Sequence, residues 1–491
     1  MRRSGSLLAG SVLVVGAVAC TGSGSTASLA SGNTAPASVV VPEPAACVRW
    51  VAPSGDDSGT GSRADPWATL EHAVGEVPDD RCTVFAADGV YEGSNSVDRE
   101  FATPTVVRAA NDYGATLRSD GSAVDVGTDA SNLVFTGFEF TQTGPDATGV
   151  LVYVSGSDDG TRAPSHITFT NNVFHDSWGD DLLKIRSGAT GVVVAGNVFY
   201  NQSDQGQGEQ HIDVNSATDV EISDNVFFND FTASGRPDAR VSQHFIVVKD
   251  SGGEADGQLG SRRITIERNV FAHYEGDESS LIAIGNDGAP YHEAVDVLVR
   301  NNLVIGDGPD HAYAAFSVHG AKDVSFVNNT VTGDLPSSDF AFAIGTKGEN
   351  PPNENLLFAN NIWTDPTGTM GSLSGGSATD GAVLDRNLYW NAQGPVAGDL
   401  LGPDDDPDAV IADPGLPTDQ RDITFPWWDG SAFASGDRTI GDAFVRLVTT
   451  YGAVPSEGAG VGLADVAFAP PTDILGRPRG DAPDLGAVEA P

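Results

Sequence analysis

The segment 180–186, DDLLKIR, sets two carboxylates, an ammonium and a guanidinium within seven positions. Glu209, His211 and Asp213 follow in GEQHIDVNS, and Lys249 closes HFIVVK. Clustered carboxylates are hard oxygen donors suited to Ca²⁺; Asp180, Asp181 and Glu209 would supply them, with Asp213 as a fourth. A lysine crowded by an arginine or a metal loses affinity for its proton and becomes a base near neutral pH. A guanidinium or a metal beside a substrate carboxylate acidifies the neighbouring C–H bond. Lysine is scarce here: of 26 basic residues only Lys184, Lys249, Lys322 and Lys347 are lysines. Whether these groups meet depends on the elements that carry them.

Those elements repeat. HITFTNNVFHDS, VVVAGNVFYNQS, VEISDNVFFNDF, ITIERNVFAHYEG, VLVRNNLVIGDG, VSFVNNTVTGDL, LLFANNIWTDPT and AVLDRNLYWNAQ each join two short β-branched or aromatic runs through an asparagine. The asparagines are Asn172, Asn197, Asn225, Asn269, Asn302, Asn329, Asn361 and Asn387, spaced 25 to 44 residues apart. LVFTGFEFTQTG is an earlier copy in which Gly137 stands for the asparagine. A recurring period of this kind marks a solenoid. Asparagine tolerates the left-handed turn between strands, as glycine does, and stacked amides would bond along the axis. Between successive phrases lies one more period-two run, such as LLKIRSG, HIDVNSA and FIVVKDS, which makes three strands per coil.

Three parallel strands per coil resemble the right-handed parallel β-helix proteins of the pectate-lyase-like superfamily. The opening VAPSGDDSGTGSRADPWATLEHAV is similar to the start of many bacterial members, and DILGRPRGDAPDLGAVEA to their common ending. The fold implied is all-β, with an N-terminal helix capped by Asp65, begun by Pro66, and covering the first coil with Trp67, Leu70, Ala73 and Val74. The expected organisation is 47–125 for the cap and first coils, 126–395 for the repeats, and 396–491 for a segment packed on the last coils.

Stacking the third run of each coil in register, with apolar alternates inward, pairs Val152/Val154, Leu183/Ile185, Ile212/Val214, Ile246/Val248, Ile282/Ile284, Phe316/Val318 and Phe342/Ile344. Tyr153, Lys184, Asp213, Val247, Ala283 and Ser317 then form an outward column, and Ser155, Arg186, Asn215, Lys249, Gly285 and His319 the next. Leu151, Leu182, His211, Phe245, Leu281 and Ala315 are placed outward as a third. With coils about 4.8 Å apart, the charged residues share one patch. The excursion 232–244 and the insertion 250–263 would border it.

The resemblance implies a lyase acting on a uronate-containing polysaccharide, with Ca²⁺ on the carboxylates, Lys184 as base and Arg186 neutralising the substrate carboxylate. Lys249 and His211 are second candidates for the base. GDDLLKIRSG is also similar to the paired-aspartate motif of polygalacturonase-like hydrolases, where Asp180 and Asp181 would act with Asp213 as the further carboxylate. The companion motifs of that family are missing from the neighbouring coils. Two readings without catalysis stay open: a sheet face laced with ion pairs, and a rod that only binds glycan at the cell envelope.

The net charge of −42 excludes nucleic acid as a partner and opposes an anionic membrane surface. MRRSGSLLAGSVLVVGAVAC reads as an export signal over 1–19, with Cys20 as a lipidation site and 20–46 as a low-complexity tether; plain secretion is the alternative. Any membrane contact would run through that lipid alone. Cys47 and Cys82, left over in an exported chain, read as one disulfide, with two free thiols as the alternative. The expected partner is an extracellular polysaccharide, anionic or neutral, met by a monomer. FPWWDG offers Trp427 and Trp428 either to sugar rings or, in preference, to packing of the C-terminal segment. The acidic turn around Asp404, Asp405, Asp406 and Asp408 reads as solvated.

Overall fold

β-Branched and aromatic runs of two to nine residues, separated by sharp turns, form parallel strands that each pair with their counterparts one coil away. The computed structural model describes residues 47–491 apart from 203–208, 237–241, 308–309, 378–380 and 419–422. The export signal, Cys20 and the tether lie outside the described residues, as does part of the 232–244 excursion. Among the described residues three sheets of 12, 10 and 12 strands run the length of the molecule. Apart from the first pair of the first sheet and the last pair of the third, successive strands of a sheet are three apart in the chain, so each full coil contributes one strand to each face of a right-handed parallel β-helix. The first sheet begins with Val48–Val51, the second with Asn95–Val97 and the third with Gly89–Glu92.

The repeating asparagine sits at the corner from the first sheet to the third. From Asn172 to Asn387 each amide donates to the next amide oxygen along the axis at 2.9–3.1 Å. The same oxygen accepts the backbone N–H of the preceding ladder residue, and all eight asparagines are fully buried. The left-handed residue is the one before each asparagine, not the asparagine itself: Asn171 at φ 56°, Gly196 at 68°, Arg268 at 52°. Gly137, at φ 78°, belongs to that preceding position, and Phe138 stands at the ladder position. The ladder ends on Asp406, whose Oδ2 accepts both the N–H and the amide of Asn387. One residue of the acidic turn is therefore buried, contrary to the expectation of a solvated loop.

Inside the coil the side chains stack by kind. Phe140, Phe174, Phe199, Phe227 and Phe271 form a column with ring centroids 4.6–5.1 Å apart. The helix Leu70–Glu76 closes the N-terminal end with Leu70, Ala73 and Val74 buried. It starts later than expected. Thr69 is the N-cap and accepts the N–H of His72, whereas Asp65 turns back to accept the N–H of Thr60. Trp67 is buried all the same, ahead of the helix. Cys47 and Cys82 form a disulfide.

The C-terminal segment does more than cover the last coils. Phe425, Phe433, Ile440, Phe444 and Leu447 pack on Val173, Val198, Phe228 and Ile305 of the third sheet's outer face. Trp428 reaches Tyr113 in an early coil, at 5.2 Å between rings.

Candidate functional site

The second sheet carries the charged residues in the register read from the sequence. Leu183, Ile212, Ile246, Ile282, Phe316 and Phe342 are successive neighbours inside; Lys184 lies beside Asp213, Arg186 beside Asn215, and Asn215 beside Lys249. Because adjacent side chains alternate across the pleat, fixing the apolar set fixes the polar set.

Two turns complete the cluster. The turn after His175 is held by Gln142, whose Oε1 accepts the N–H groups of Trp178 at 2.7 Å and Gly179 at 3.2 Å. It presents Asp180, which accepts the N–H of Asp181, and Asp181, which accepts the N–H of Gln210 in the next coil at 2.8 Å. Carboxylate oxygens of Asp180, Asp181 and Glu209 all lie within 4.8 Å of one another, the trio expected from the sequence. Two coils on, Glu293 accepts four consecutive backbone N–H groups, from Asn286 to Ala289, and thereby sets Asp287.

The Lys184 ammonium stands 2.9 Å from Asp181, 2.9 Å from Asp213 and 3.8 Å from Asp180. Lys249 lies 3.8 Å from the same Asp213 oxygen and 3.4 Å from Asp287. Asp181 and Asp213 have no exposed side-chain surface, and neither oxygen of Asp213 accepts a hydrogen bond of normal geometry. Burial raises the Asp181 carboxyl well above the usual carboxylate range; Lys184 pulls it down, while Asp213, Asp180 and Glu209 push it further up. The cluster thus holds more negative charge than its ammonium ions satisfy, and its donors are all hard oxygens. That fits a divalent cation such as Ca²⁺.

Three of the expected residues sit in surroundings other than those read from the sequence. Lys184 was to be a neutral base with a depressed pKa. Burial does act in that direction, but Asp181, Asp213 and Asp180 outweigh it and hold the ammonium well above the ordinary lysine value. Lys249 is raised for the same reason by Asp213 and Asp287. His211 is not on the outer face at all. It is fully buried, stacked 4.8 Å from Phe245, with Nε2 on Asn229 Oδ1 at 2.9 Å, and burial lowers its pKa to about 3. The whole column from Leu151 to Ala315 shares this inward position, because the chain turns the corner there before the pleat alternation begins. Arg186 faces outward as expected, with Nε donating to Ser187 Oγ at 2.9 Å and its far nitrogen 3.7 Å from Asp158.

The sequence reading missed Asp287 and His244. Asp287 follows the expected Gly285 column by two residues and was within reach of the same stacking. His244 Nδ1 donates to Ser280 O at 2.6 Å, and burial lowers its pKa to about 4. A second polar cluster, Asp230, His273 and Glu275, lies at the corner from the third sheet to the second. Burial opposes the His273 charge, but Asp307 and Glu275 raise its pKa to about 10, so the imidazolium itself supplies the cation there.

No family model matches the sequence, and no curated protein matches it either. Solved structures do match. The pectate lyase Pel9A is 15% identical, with 94% of this chain and 99% of that one covered at a TM-score of 0.53. XylC, solved in complex with xylose, is 11% identical over 90% and 98% of the two chains at a TM-score of 0.50. An alginate lyase from Paenibacillus sp. is 17% identical over 67% of this chain and 94% of that one, at 0.43. The fold that these observations define is the right-handed parallel β-helix.

Proposed function

We propose that the protein is an exported polysaccharide lyase that cleaves a uronate-containing glycan by β-elimination, with Ca²⁺ held by Asp180, Asp181 and Glu209. The observation that carries the proposal is the convergence of those three carboxylates beside Lys184 on the outer face of the second sheet. The pectate lyase among the structural neighbours accords with it. Arg186 and Lys249, both cationic and outward, would bind the substrate carboxylate and orient the sugar against the sheet. Lys184 would take the proton beside that carboxylate once the negative charge around it is lowered. Asp180, Asp181 and Glu209 would hold a divalent cation that, when bound, would supply that lowering and acidify the substrate C–H bond.

A second reading rests on Asp181. A buried carboxyl with a raised pKa next to other carboxylates is the arrangement of a general acid in glycoside hydrolysis, with Asp213 as its partner. One experiment separates the readings: pectate, alginate and glycosaminoglycans incubated with Ca²⁺ or with chelator, followed by ultraviolet absorbance and by reducing ends. Absorbance that rises only with Ca²⁺ supports the lyase. Reducing ends without absorbance transfer the chemistry to the aspartates. Neither signal on any polymer overturns the lyase proposal and leaves a glycan-binding rod.

A further inference from the structure

Away from the charged cluster, the corner between the third and second sheets carries a cavity of about 240 Å³ beneath the C-terminal segment. Its lining includes Asp176, Asn201, Asp230, Ser234, Trp427 and Trp428. The two tryptophans differ. Trp428 is built into the fold: its backbone N–H donates to Tyr200 Oη at 3.0 Å, and its ring packs edge-on against Tyr113 and Phe433 at 5.2 and 5.1 Å. Trp427 makes no ring contact among the described residues and leaves 36% of its surface exposed, one of few large apolar side chains to do so.

The polar lining is fixed in place and has capacity left over. Asp176 is held by His175 at 2.8 Å and Arg236 at 2.9 Å. Arg236 is itself clamped over the Trp178 ring at 3.8 Å. Asp230 caps the short helix Phe231–Ser234 through one oxygen, which accepts the N–H of Ala233 at 3.1 Å. Asn201 uses its amide oxygen on the N–H of Asp230 at 2.8 Å. The second oxygen of Asp230 and the amide nitrogen of Asn201 make no hydrogen bond among the described residues. One acceptor, on a carboxylate that also faces His273 and Glu275, and one donor therefore line the same cavity as an indole that packing does not use.

We infer that this cavity is a binding site for an uncharged sugar ring, separate from the charged cluster. An exposed indole offers its flat face to the apolar C–H face of a pyranose, while carboxylate and amide groups at the ring edge take its hydroxyls. The volume lies below the roughly 300–1,000 Å³ of ordinary ligand pockets, which fits one ring rather than a length of chain. The lining itself carries no cation, and the two nearest, His175 and Arg236, already pair with Asp176, so nothing in the site favours a uronate carboxylate and the ring is neutral. The inference does not rest on the lyase reading, since it invokes binding alone.

The test is titration of the mature protein with cellohexaose, xylohexaose and mannohexaose, and with trigalacturonate as the anionic probe, read by tryptophan fluorescence and calorimetry. At least one neutral probe binds, Trp427→Ala weakens it about tenfold or more, and Asp230→Asn, which keeps the helix cap, also weakens it. Melting temperatures of both variants match that of the parent. Trp427→Phe retains part of the affinity, because a ring is still offered. Absence of neutral-sugar binding, or binding that Trp427→Ala leaves intact, overturns the inference. Trigalacturonate binding that Trp427→Ala abolishes overturns it as well, because the site would then select charge.

Discussion

Lys184 is surrounded by more charge than it neutralises. Asp181 and Asp213 are both fully buried, and each depends on that ammonium at 2.9 Å. A buried pair costs much to desolvate, and removing one partner costs more, since the other charge is then stranded. Lys184→Met is accordingly expected to destabilise the protein by about 3–5 kcal/mol. Adding Asp213→Asn removes one of the stranded charges and restores part of the loss. Urea unfolding of the parent, the single and the double variant measures it; a double variant no more stable than the single would show that Asp213 is not the stranded charge. Catalysis is read separately with Lys184→Arg, which keeps the cation but fixes its proton; turnover falls by at least a hundredfold if a lysine base is required. The identities of these residues were legible because lysine is rare and its positions recur on one strand. Their protonation states were not, because they depend on burial and on three-dimensional distances to Asp181 and Asp213. A list of nearby charges omits both.

At the scale of the strand and the corner, the period-two pattern determined the register, since a slip by one residue would have turned Lys184 and Arg186 into the apolar interior. Every inward pair read from the sequence is paired and buried. Alternation fails where the chain leaves the pleat, and His211 shows how. It stands one residue before the strand Ile212–Asn215, at a corner that turns it inward among phenylalanines. The clue was available: its column is otherwise Leu, Leu, Phe, Leu and Ala, a buried composition. Gly137 shows the same kind of one-place error, because the residue that must be left-handed and the residue that bonds along the axis are neighbours rather than one. The ladder itself carries a prediction. Asn269→Ala removes the acceptor of the Asn225 N–H and the donor to Ile222 O and Asn302. With buried polar groups left unpaired at about 1–3 kcal/mol each, the expected loss is ~3 kcal/mol or more, seen as a lower urea midpoint. A midpoint unchanged from the parent would mean that water or neighbouring amides replace the rung.

Over the whole molecule, buried histidines of two kinds pull stability in opposite directions with pH. His211 and His244 are neutral in the fold, with burial lowering their pKa values to about 3 and about 4. Unfolded histidine titrates near 6.5, so each binds its proton more readily in the unfolded chain. Their contribution is present above pH 6.5 and is lost as the pH falls toward 3. His175 and His273 are the reverse: burial opposes their charge, but Asp176 with Glu139, and Asp307 with Glu275, raise them to about 9 and about 10. Their contribution is complete below pH 6.5 and is lost as the pH rises through 9 to 10. The melting temperature is therefore expected to peak near pH 6–7 and fall on both sides. The measurement belongs at high salt, where the field of a chain with net charge −42 is screened and cannot mimic either limb. His211→Phe extends a stack that already holds Phe199, Phe227 and Phe245, and it should flatten the acid limb while sparing the alkaline one. His175→Gln should flatten the alkaline limb instead. Of the alkaline pair, His175 ties Glu139 of the third sheet to Asp176, at the start of the turn that presents Asp180 and Asp181. Loss of His175 would therefore loosen the candidate site before the coil melts, and divalent-cation affinity should fall with rising pH in step with the alkaline limb. An affinity that stays constant from pH 7 to 10 would uncouple that corner from the carboxylate cluster.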